Sequence, residues 1–442
     1  MHVSADKYGH RVTGASAPTL DALNRFGDAW LEYGPDVGVI FAAADDDPEC
    51  ALVQAYAGLL HMALEAETGY RAARPFLERA SMNAASATPR EQAIIAAALD
   101  WAQGNFPSAL QEFERVAECA PDDIVAAKWG QYLAFNLGDA GAMLRLAQSI
   151  IPQHRKTAEA WGMLAFGQEQ MYHLDKAEES SRMALSLNPE EAWAQHALAH
   201  VFETRGQVDE GIDFLTQASP GWTDRSIFMR EHNYWHLALF HLDRDEPETA
   251  LKIFDQCLWG EWPEFAQEQI GAVSMLWRLE LRGAQIGSRW QPVIEKILER
   301  GHEHIWPFHD LHYVYALSRA ETGKAAAEFL SSIDRMAADR GGVWADVAAP
   351  AARAVNAHAT GRHHEAAETL APILNDLHTI GGSHAQRDIF VQTWIDAALH
   401  ANQHSAVEHV LQSRAHARPR IKAHHRDIER CKGTAAKHSQ RH

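Results

Sequence analysis

The most distinctive local pattern in the chain is a pair of histidines followed by a glutamate on one predicted helix. In the segment HALAHVFE these residues are His196, His200 and Glu203. In a helix, the spacing of four and then three residues places all three side chains on one face. Two imidazoles four residues apart can coordinate one metal ion, and a neighbouring carboxylate can be a third ligand or a base. The pattern therefore predicts a polar site for binding or for proton transfer.

A second pair, His232 and His236, repeats the spacing of four residues on another predicted helix. We expect these two pairs and Glu203 to carry any catalysis, because the ordinary pKa of histidine lies close to neutral pH. A wider set of residues is expected to contact the ligand: Lys128, Tyr132, Glu169, Trp235, His309, Asp310, His312, His384, Arg387 and Asp388.

Each of these residues also has a purely structural interpretation. A histidine on an inner helix can be half-buried and hydrogen-bonded to a neighbouring carboxylate or carbonyl. Trp235 can be a packing residue, and Lys128 can pair with Glu169 instead of attracting an anionic ligand. The chain contains 27 histidines, so a pair four residues apart also arises easily by chance.

Signatures of several other catalytic classes are absent from the sequence. It has no G-x-S-x-G elbow and no cysteine in a papain-like context. It also has no phosphate-binding G-x-x-x-x-G-K-[ST] loop and no dinucleotide-binding fingerprint. A divalent metal is the one cofactor that the histidine pattern leaves open.

The elements that must position the polar residues are helical hairpins that recur about every 34 residues. In the segment 158–189, Ala177 stands where two helices cross and Pro189 ends the second helix. A small residue is needed at the crossing because the helix axes approach closely, and proline cannot continue a helix. The turns of the recurring frame are predicted at Gly104, Gly138, Tyr172, Gly206, Asp245, Gly323 and Gly361.

These repeats predict an all-α fold, a right-handed α-solenoid of tetratricopeptide-like helical hairpins. Helix should exceed about 60% of the residues, compared with about a third in an average globular protein. The first helix of each hairpin should line the concave side, so the polar residues are expected to converge on one histidine-rich pocket. We divide the chain into an N-terminal extension (1–20), the solenoid (21–412) and a basic C-terminal tail (413–442).

Two parts of the chain depart from the repeat frame. The stretch 259–308, which contains Trp259, Trp262 and Trp306, is expected to be an irregular, loop-rich insertion. From residue 412 onwards nine Lys or Arg oppose two Asp or Glu, a charge of +7, so the rest of the chain carries −19 − 7 = −26. We expect this tail to be solvated and partly frayed, with an interaction arm as the alternative.

Composition limits the partners and the location. A net charge of −19 argues against general binding of nucleic acid or of an anionic membrane. We find no apolar run long enough to span a membrane and no basic, then apolar, leader at the start. The four cysteines stand far apart and suggest no disulfide framework. The sequence predicts a cytoplasmic protein whose partners are a small molecule or a peptide, and a homo-oligomer is possible.

Five segments make the chain resemble the tetratricopeptide repeat protein 38 family. They are DKYGHRVTGAS, WAQHALAHVFETRGQVDEGIDFL, HNYWHLALFHLDRDEPETAL, FHDLHYVYAL and GGSHAQRDIF, and they extend from near residue 6 to about residue 400. Tyr234 stands where the family pattern has tryptophan, and His10 where it has asparagine. The resemblance implies an α-helical repeat fold and no particular activity.

Two functional hypotheses remain open at this point. In the first, the protein binds a peptide or a small molecule in a histidine-rich concave pocket, as repeat solenoids commonly bind partners. In the second, it is an enzyme that acts on a small molecule with a pocket of histidine and glutamate, and a divalent metal could assist. The polar residues are histidines and acids concentrated in the middle and later repeats, which is unlike an extended ladder of peptide-binding side chains.

Overall fold

A computed structural model of the protein describes residues 3–320 and 323–439. The described residues form 23 α-helices and one short pair of strands. The strands, β1 (Val3–Ala5) and β2 (Arg11–Thr13), pair in the antiparallel sense. Helices make up 77% of the chain, which confirms the predicted all-α fold of helical repeats. The outermost residues of the predicted N-terminal extension and tail, 1–2 and 440–442, lie outside the described residues.

The chain divides into two compact units, which are described separately. The first contains Met1–Leu198 and Gly221–Met229, and the second contains Ala199–Pro220 and Arg230–His442. Helices α11 (Ala192–Arg205) and α13 (Ile227–Asp243) begin in the first unit and continue in the second. None of the helices within the described ranges combines the length and the apolar character needed to cross a membrane.

The other helices of the first unit are α1 (Ala17–Glu32), α2 (Val39–Asp46), α3 (Ala51–Met62), α4 (Glu67–Asn83), α5 (Pro89–Ala102), α6 (Phe106–Cys119), α7 (Ile124–Asn136), α8 (Ala140–Ile150), α9 (Ala158–Gln170) and α10 (Leu174–Leu187). The other helices of the second unit are α12 (Val208–Ala218), α14 (Pro247–Cys257), α15 (Ala266–Leu281), α16 (Trp290–Arg300), α17 (Pro307–Leu317), α18 (Lys324–Arg340), α19 (Ala349–Ala359), α20 (His363–Leu370), α21 (His384–His400), α22 (His404–Ala417) and α23 (Lys422–Ser439).

All seven predicted turn residues lie between two helices and adopt the left-handed backbone conformation. Their φ angles lie between 58° and 79°. Five of the seven are glycines, which reach this conformation without the steric cost that a Cβ atom imposes. The other two, Tyr172 and Asp245, adopt it at φ 58° and 65°. The predicted hairpin frame is therefore confirmed turn by turn.

Small residues allow the helices to approach closely, as the repeat frame requires. Ala177 on α10 is completely buried. On α7, a Cβ added at Gly130 would lie 2.8 Å from the Cβ of Phe113 on α6, so no larger residue fits there. On α9, a Cβ added at Gly167 would lie 3.0 Å from the Cα of Leu144 on α8. Neighbouring hairpins of the first unit are thus in near backbone contact.

The stretch 259–308 differs from its predicted loop-rich character. It contains α15 and α16, which form a further hairpin. Trp277 and Val293 are completely buried in the hydrophobic core of the second unit, and the left-handed Gly283 (φ 78°) lies between the two helices. The tryptophans that suggested a loop, Trp259, Trp262 and Trp306, lie outside both helices, at the ends of the hairpin.

The basic tail also differs from the expected solvated segment. It forms the end of α22 and α23, and its arginines pair with acids of the second unit. Arg414 contacts Asp388 at 2.6 Å, and Arg430 contacts Asp396 at 2.8 Å. The excess positive charge of the tail is therefore placed against acidic side chains of the repeats.

The buried position of Ala177 gives a direct test of the packing frame. We expect Ala177→Leu to lower the free energy of unfolding by about 1–3 kcal/mol, because three extra carbons must enter a filled contact. Glu179→Leu, at an exposed position on the same helix, is the matched control and should change stability little. Chemical denaturation of the three proteins measures this, and equal midpoints for the parent and Ala177→Leu would contradict the packing.

Candidate functional site

Three helices supply the residues of the candidate site, and all of these residues lie in the second unit. His200 and Glu203 lie on α11, His232 and His236 on α13, and His384 is the first residue of α21. The start of α21 is fixed by a capping box, in which the Ser383 side chain accepts from the backbone N–H of Gln386 and the Gln386 side chain accepts in return.

Just before α21 begins, the backbone at Gly382 passes close to Phe308 on α17. Gly382 adopts φ 78°, and a Cβ added there would lie 2.8 Å from the ring of Phe308. Arg387 donates hydrogen bonds to the carbonyl oxygens of Gly381 and Gly382. These contacts of the segment GGSHAQR therefore fix the position of the first turn of α21, which contains His384.

Four imidazoles of the second unit lie close together. The ring centroids of His200 and His236 are 4.4 Å apart, and those of His232 and His236 are 4.9 Å apart. His384 approaches His200 at 6.4 Å in an edge-on arrangement. His200 and His236 are completely buried, whereas His232 and His384 are partly exposed. We name these four residues the histidine cluster.

Burial keeps at least two members of the cluster neutral. It lowers the pKa of His236 to about 3, with a further contribution from the positive charge of Arg278. Burial also holds the pKa of His232 well below its ordinary value, and the neighbouring His236 adds to this effect. The Nδ1 of His236 lies 3.3 Å from the Oε2 of Glu203. A carboxylate only accepts, so Nδ1 carries the proton and Nε2 keeps its lone pair.

Arg278, on α15, is the site residue that sequence reasoning missed. Its Nη2 donates to the carbonyl oxygens of Ala385 and Gln386 at 2.8 and 3.1 Å. Its guanidinium also lies 5.1 Å from the ring of Trp235, which the sequence analysis proposed as a ligand contact. Burial lowers the pKa of Arg278 to about 10, so it stays charged at neutral pH. The sequence signal for Arg278 is a single arginine within the mostly apolar segment MLWRLEL. This segment lies in the stretch 259–308, which was expected to be loop-rich, so Arg278 was not considered as a site residue.

The remaining predicted residues of the second unit have other identifiable contacts. Asp310 pairs with Nδ1 of His304 at 2.6 Å, and Asp388 accepts two hydrogen bonds from Arg414. The Nδ1 of His312 donates to a carbonyl oxygen of its own helix at 2.8 Å. Burial lowers the pKa of both His309 and His312, so they too are neutral. The contacts of Asp310, Asp388 and His312 correspond to the structural interpretation of these residues.

Four predicted residues belong to the first unit and have partners there. His196 stacks on Trp193, with ring centroids 4.4 Å apart. The hydroxyl of Tyr132 donates to Glu65 at 2.6 Å. Glu169 accepts a hydrogen bond from the side chain of the adjacent Gln170.

Lys128, the fourth, is buried against an aromatic wall. Its Nζ donates to the carbonyl oxygen of Leu31 at 2.7 Å and lies 3.7 Å from the ring centroid of Tyr33. Burial lowers the pKa of Lys128. Glu191, which is also buried, is the acidic residue whose charge acts most strongly on Lys128.

Two groups in the second unit have donor atoms close enough to hold a metal ion. His200, His232 and His236 each place one ring nitrogen within 4.8 Å of the others. His358, His363 and Asp396, which the sequence analysis did not select, do the same. Neutral imidazole and carboxylate are both ligands of zinc and related divalent ions.

Comparison with solved structures finds helical-repeat proteins of low sequence identity. A thermophilic tetratricopeptide-repeat protein of Thermus thermophilus is 19% identical with a TM-score of 0.35, over 42% of this chain and 98% of that chain. Rap protein complexed with competence and sporulation factor is 13% identical with a TM-score of 0.44, over 74% and 100%. The human IFIT1 dimer with PPP-AAAA is 12% identical with a TM-score of 0.44, over 98% and 96%. No family model matches the chain. At these identities the similarity concerns the fold alone.

The neutral state of His236 predicts a specific pH dependence. In the unfolded chain this histidine regains its ordinary pKa of about 6.5, so the unfolded state binds more protons between about pH 6.5 and the folded value of about 3. Its contribution to stability is complete above pH 6.5 and is lost as the pH falls. We expect His236→Asn, which retains a donor towards Glu203, to reduce this loss between pH 7 and pH 5 by on the order of 1–2 kcal/mol.

Urea denaturation at several pH values measures the effect. Glu203 and Arg278 are present in both proteins, so only the part of their pH dependence that involves His236 differs between the two proteins. His241→Asn is the control, since His241 lies on the same helix but pairs with Glu246 at the hairpin turn. If His236→Asn and the parent lost stability with the same pH profile, the buried neutral state of His236 would be wrong.

Proposed function

We propose that the protein is a tetratricopeptide-type binding protein that takes a small polar molecule at the histidine cluster. The observation that supports this most directly is the convergence of four imidazoles from three helices on one place. A neutral imidazole offers one hydrogen-bond donor and one acceptor. Several of them together form a site that can complement a ligand with both kinds of group.

The size and burial of the cluster favour a small molecule over a peptide. Peptides bound by repeat or groove proteins lie across several anchor points in extended or helical form. Here the polar groups lie within a few ångströms of one another, and His200 and His236 are completely buried. A compact ligand, entering past the partly exposed His232 and His384, fits this arrangement better than a chain segment.

The pKa of His236 favours binding over catalysis. An efficient general base has a pKa near the working pH, whereas burial lowers that of His236 to about 3. A neutral imidazole of this kind acts as a hydrogen-bonding group. An enzyme that acts on a small molecule is the second candidate, because a carboxylate that orients an imidazole, as Glu203 does for His236, also occurs in catalytic sites. His196, in the first unit, has no part in this proposal.

Three broader assignments belong to the same proposal. The five quoted segments support membership of the tetratricopeptide repeat protein 38 family. The net charge of −19 supports a partner other than nucleic acid. We also propose a cytoplasmic location and leave a homo-oligomer as a possible state.

A binding screen with matched variants tests the proposal. Thermal-shift measurements would use small carboxylates, amines, polyols and nucleobases, with a tripeptide mixture and a short oligoadenylate as macromolecular probes. Compounds that stabilise the protein would then be titrated calorimetrically into the parent, His200→Ala and His241→Ala. We expect one small compound to bind the parent and His241→Ala equally and to bind His200→Ala at least about tenfold more weakly, since loss of one buried hydrogen bond costs about 1.4 kcal/mol.

The outcomes separate the hypotheses. Tight binding of the tripeptides or of the oligoadenylate, unchanged in His200→Ala, would contradict the proposal. If the bound compound is converted to a product that mass spectrometry detects, and Glu203→Gln stops the conversion but not the binding, the enzyme hypothesis is correct. Circular dichroism of each variant checks that the helices remain folded.

A further inference from the structure

A second group of histidine and aspartate side chains lines a cavity elsewhere in the second unit. The cavity has a volume of about 650 Å³ and is bordered by residues of α15, α17, α19, α21 and α23. Its wall includes His358 on α19, His363 at the start of α20 and Asp396 on α21. None of these three residues belongs to the histidine cluster or to the proposed function.

The three side chains already have the spacing of metal ligands. The Nε2 of His358 lies 3.0 Å from the Oδ2 of Asp396. Two ligands of a tetrahedral zinc ion with bonds of 2.0–2.1 Å are about 3.3 Å apart. One ring nitrogen of His363 lies within 4.8 Å of the ligand atoms of both other residues, so a small side-chain rotation would complete a three-ligand set.

An ion-pair network explains part of this cluster but not all of it. The Oδ1 of Asp396 accepts from Arg430 at 2.8 Å, and the His358 ring is hydrogen-bonded to the same carboxylate. His363 stacks on His400 with ring centroids 4.3 Å apart, and the Nδ1 of His400 lies 3.4 Å from the Oδ2 of Asp396. The Nδ1 of His363 itself is buried and has no hydrogen-bond partner among the described residues. A buried polar atom without a partner is unfavourable, so a network with a purely structural role does not account for His363.

We propose that His358, His363 and Asp396 bind a divalent transition-metal ion, for which Zn²⁺ is the best match to the ligands. Two imidazoles and one carboxylate form the ligand set of open zinc sites, in which a fourth position is left for water or substrate. All three side chains line the cavity, so a fourth ligand would reach the ion from it. Arg430 holds the second oxygen of Asp396 and fixes the orientation of the carboxylate, as residues behind metal ligands commonly do.

The experiment measures bound zinc in matched variants of the full chain, prepared without a polyhistidine tag. After treatment with a chelator, each protein is dialysed to equilibrium against Zn²⁺ and its metal content is determined by mass spectrometry. We expect His363→Ala to bind one equivalent fewer than the parent. His364→Ala changes the next residue, whose exposed side chain contacts Glu368, and should bind as many equivalents as the parent. His200→Ala should also keep this equivalent, since it alters the other cluster.

A second variant keeps the test decisive if His363→Ala folds poorly. His363→Cys places another zinc ligand at the same position. Loaded with Co²⁺, this variant should show a thiolate-to-cobalt charge-transfer band that the parent lacks, because the parent ligands contain no sulfur. Equal zinc content in the parent and His363→Ala, or no such band in His363→Cys, would overturn the proposal.

Discussion

The close approach of two helices at each hairpin crossing is the constraint on which the rest of the structure depends. It requires a small residue at the contact, as at Ala177, and a residue that tolerates the left-handed conformation at the turn, as at Gly206. When both conditions are met, neighbouring first helices can pack side by side. His200 on α11 and His236 on α13 therefore meet although they are far apart in sequence.

Much of this structure could be predicted because it depends on residues that are close together in the sequence. The turns, the helix crossings and the shared face of His200 and Glu203 each depend on residues within one hairpin, so the sequence contains them directly. The hairpin of α15 and α16 was missed because tryptophans and prolines at its ends resemble a loop. The zinc-binding proposal could not have come from the sequence, because His358, His363 and Asp396 lie on three helices and carry no common motif.

Arg278 shows how a long-range contact completes the histidine cluster. Its guanidinium donates to two carbonyl oxygens at the start of α21, where His384 lies, and also packs against Trp235 on α13. Burying a charge is unfavourable unless hydrogen bonds compensate, and here backbone carbonyls provide them. The same positive charge helps to keep His236 neutral. One residue thus both contacts the start of α21 and adds to the effect of burial on the protonation state of His236, which no local pattern reveals.

The basic helix α23 gives the cavity a sensitivity to ionic strength. Its contacts at the rim include the pairs Arg430–Asp396 and Arg282–Asp427, at 2.8 and 3.0 Å. Dissolved salt screens the exposed part of such pairs, since the Debye length falls from about 10 Å at 0.1 M to about 3 Å at 1 M, and it screens partly buried pairs less. The burial of Cys431 on the same helix is an apolar contact that salt does not weaken. Concentrated salt should therefore weaken the ion pairs that attach α23 to the neighbouring helices and leave its apolar contacts intact. The cavity rim should then be less firmly held in brine than in dilute buffer.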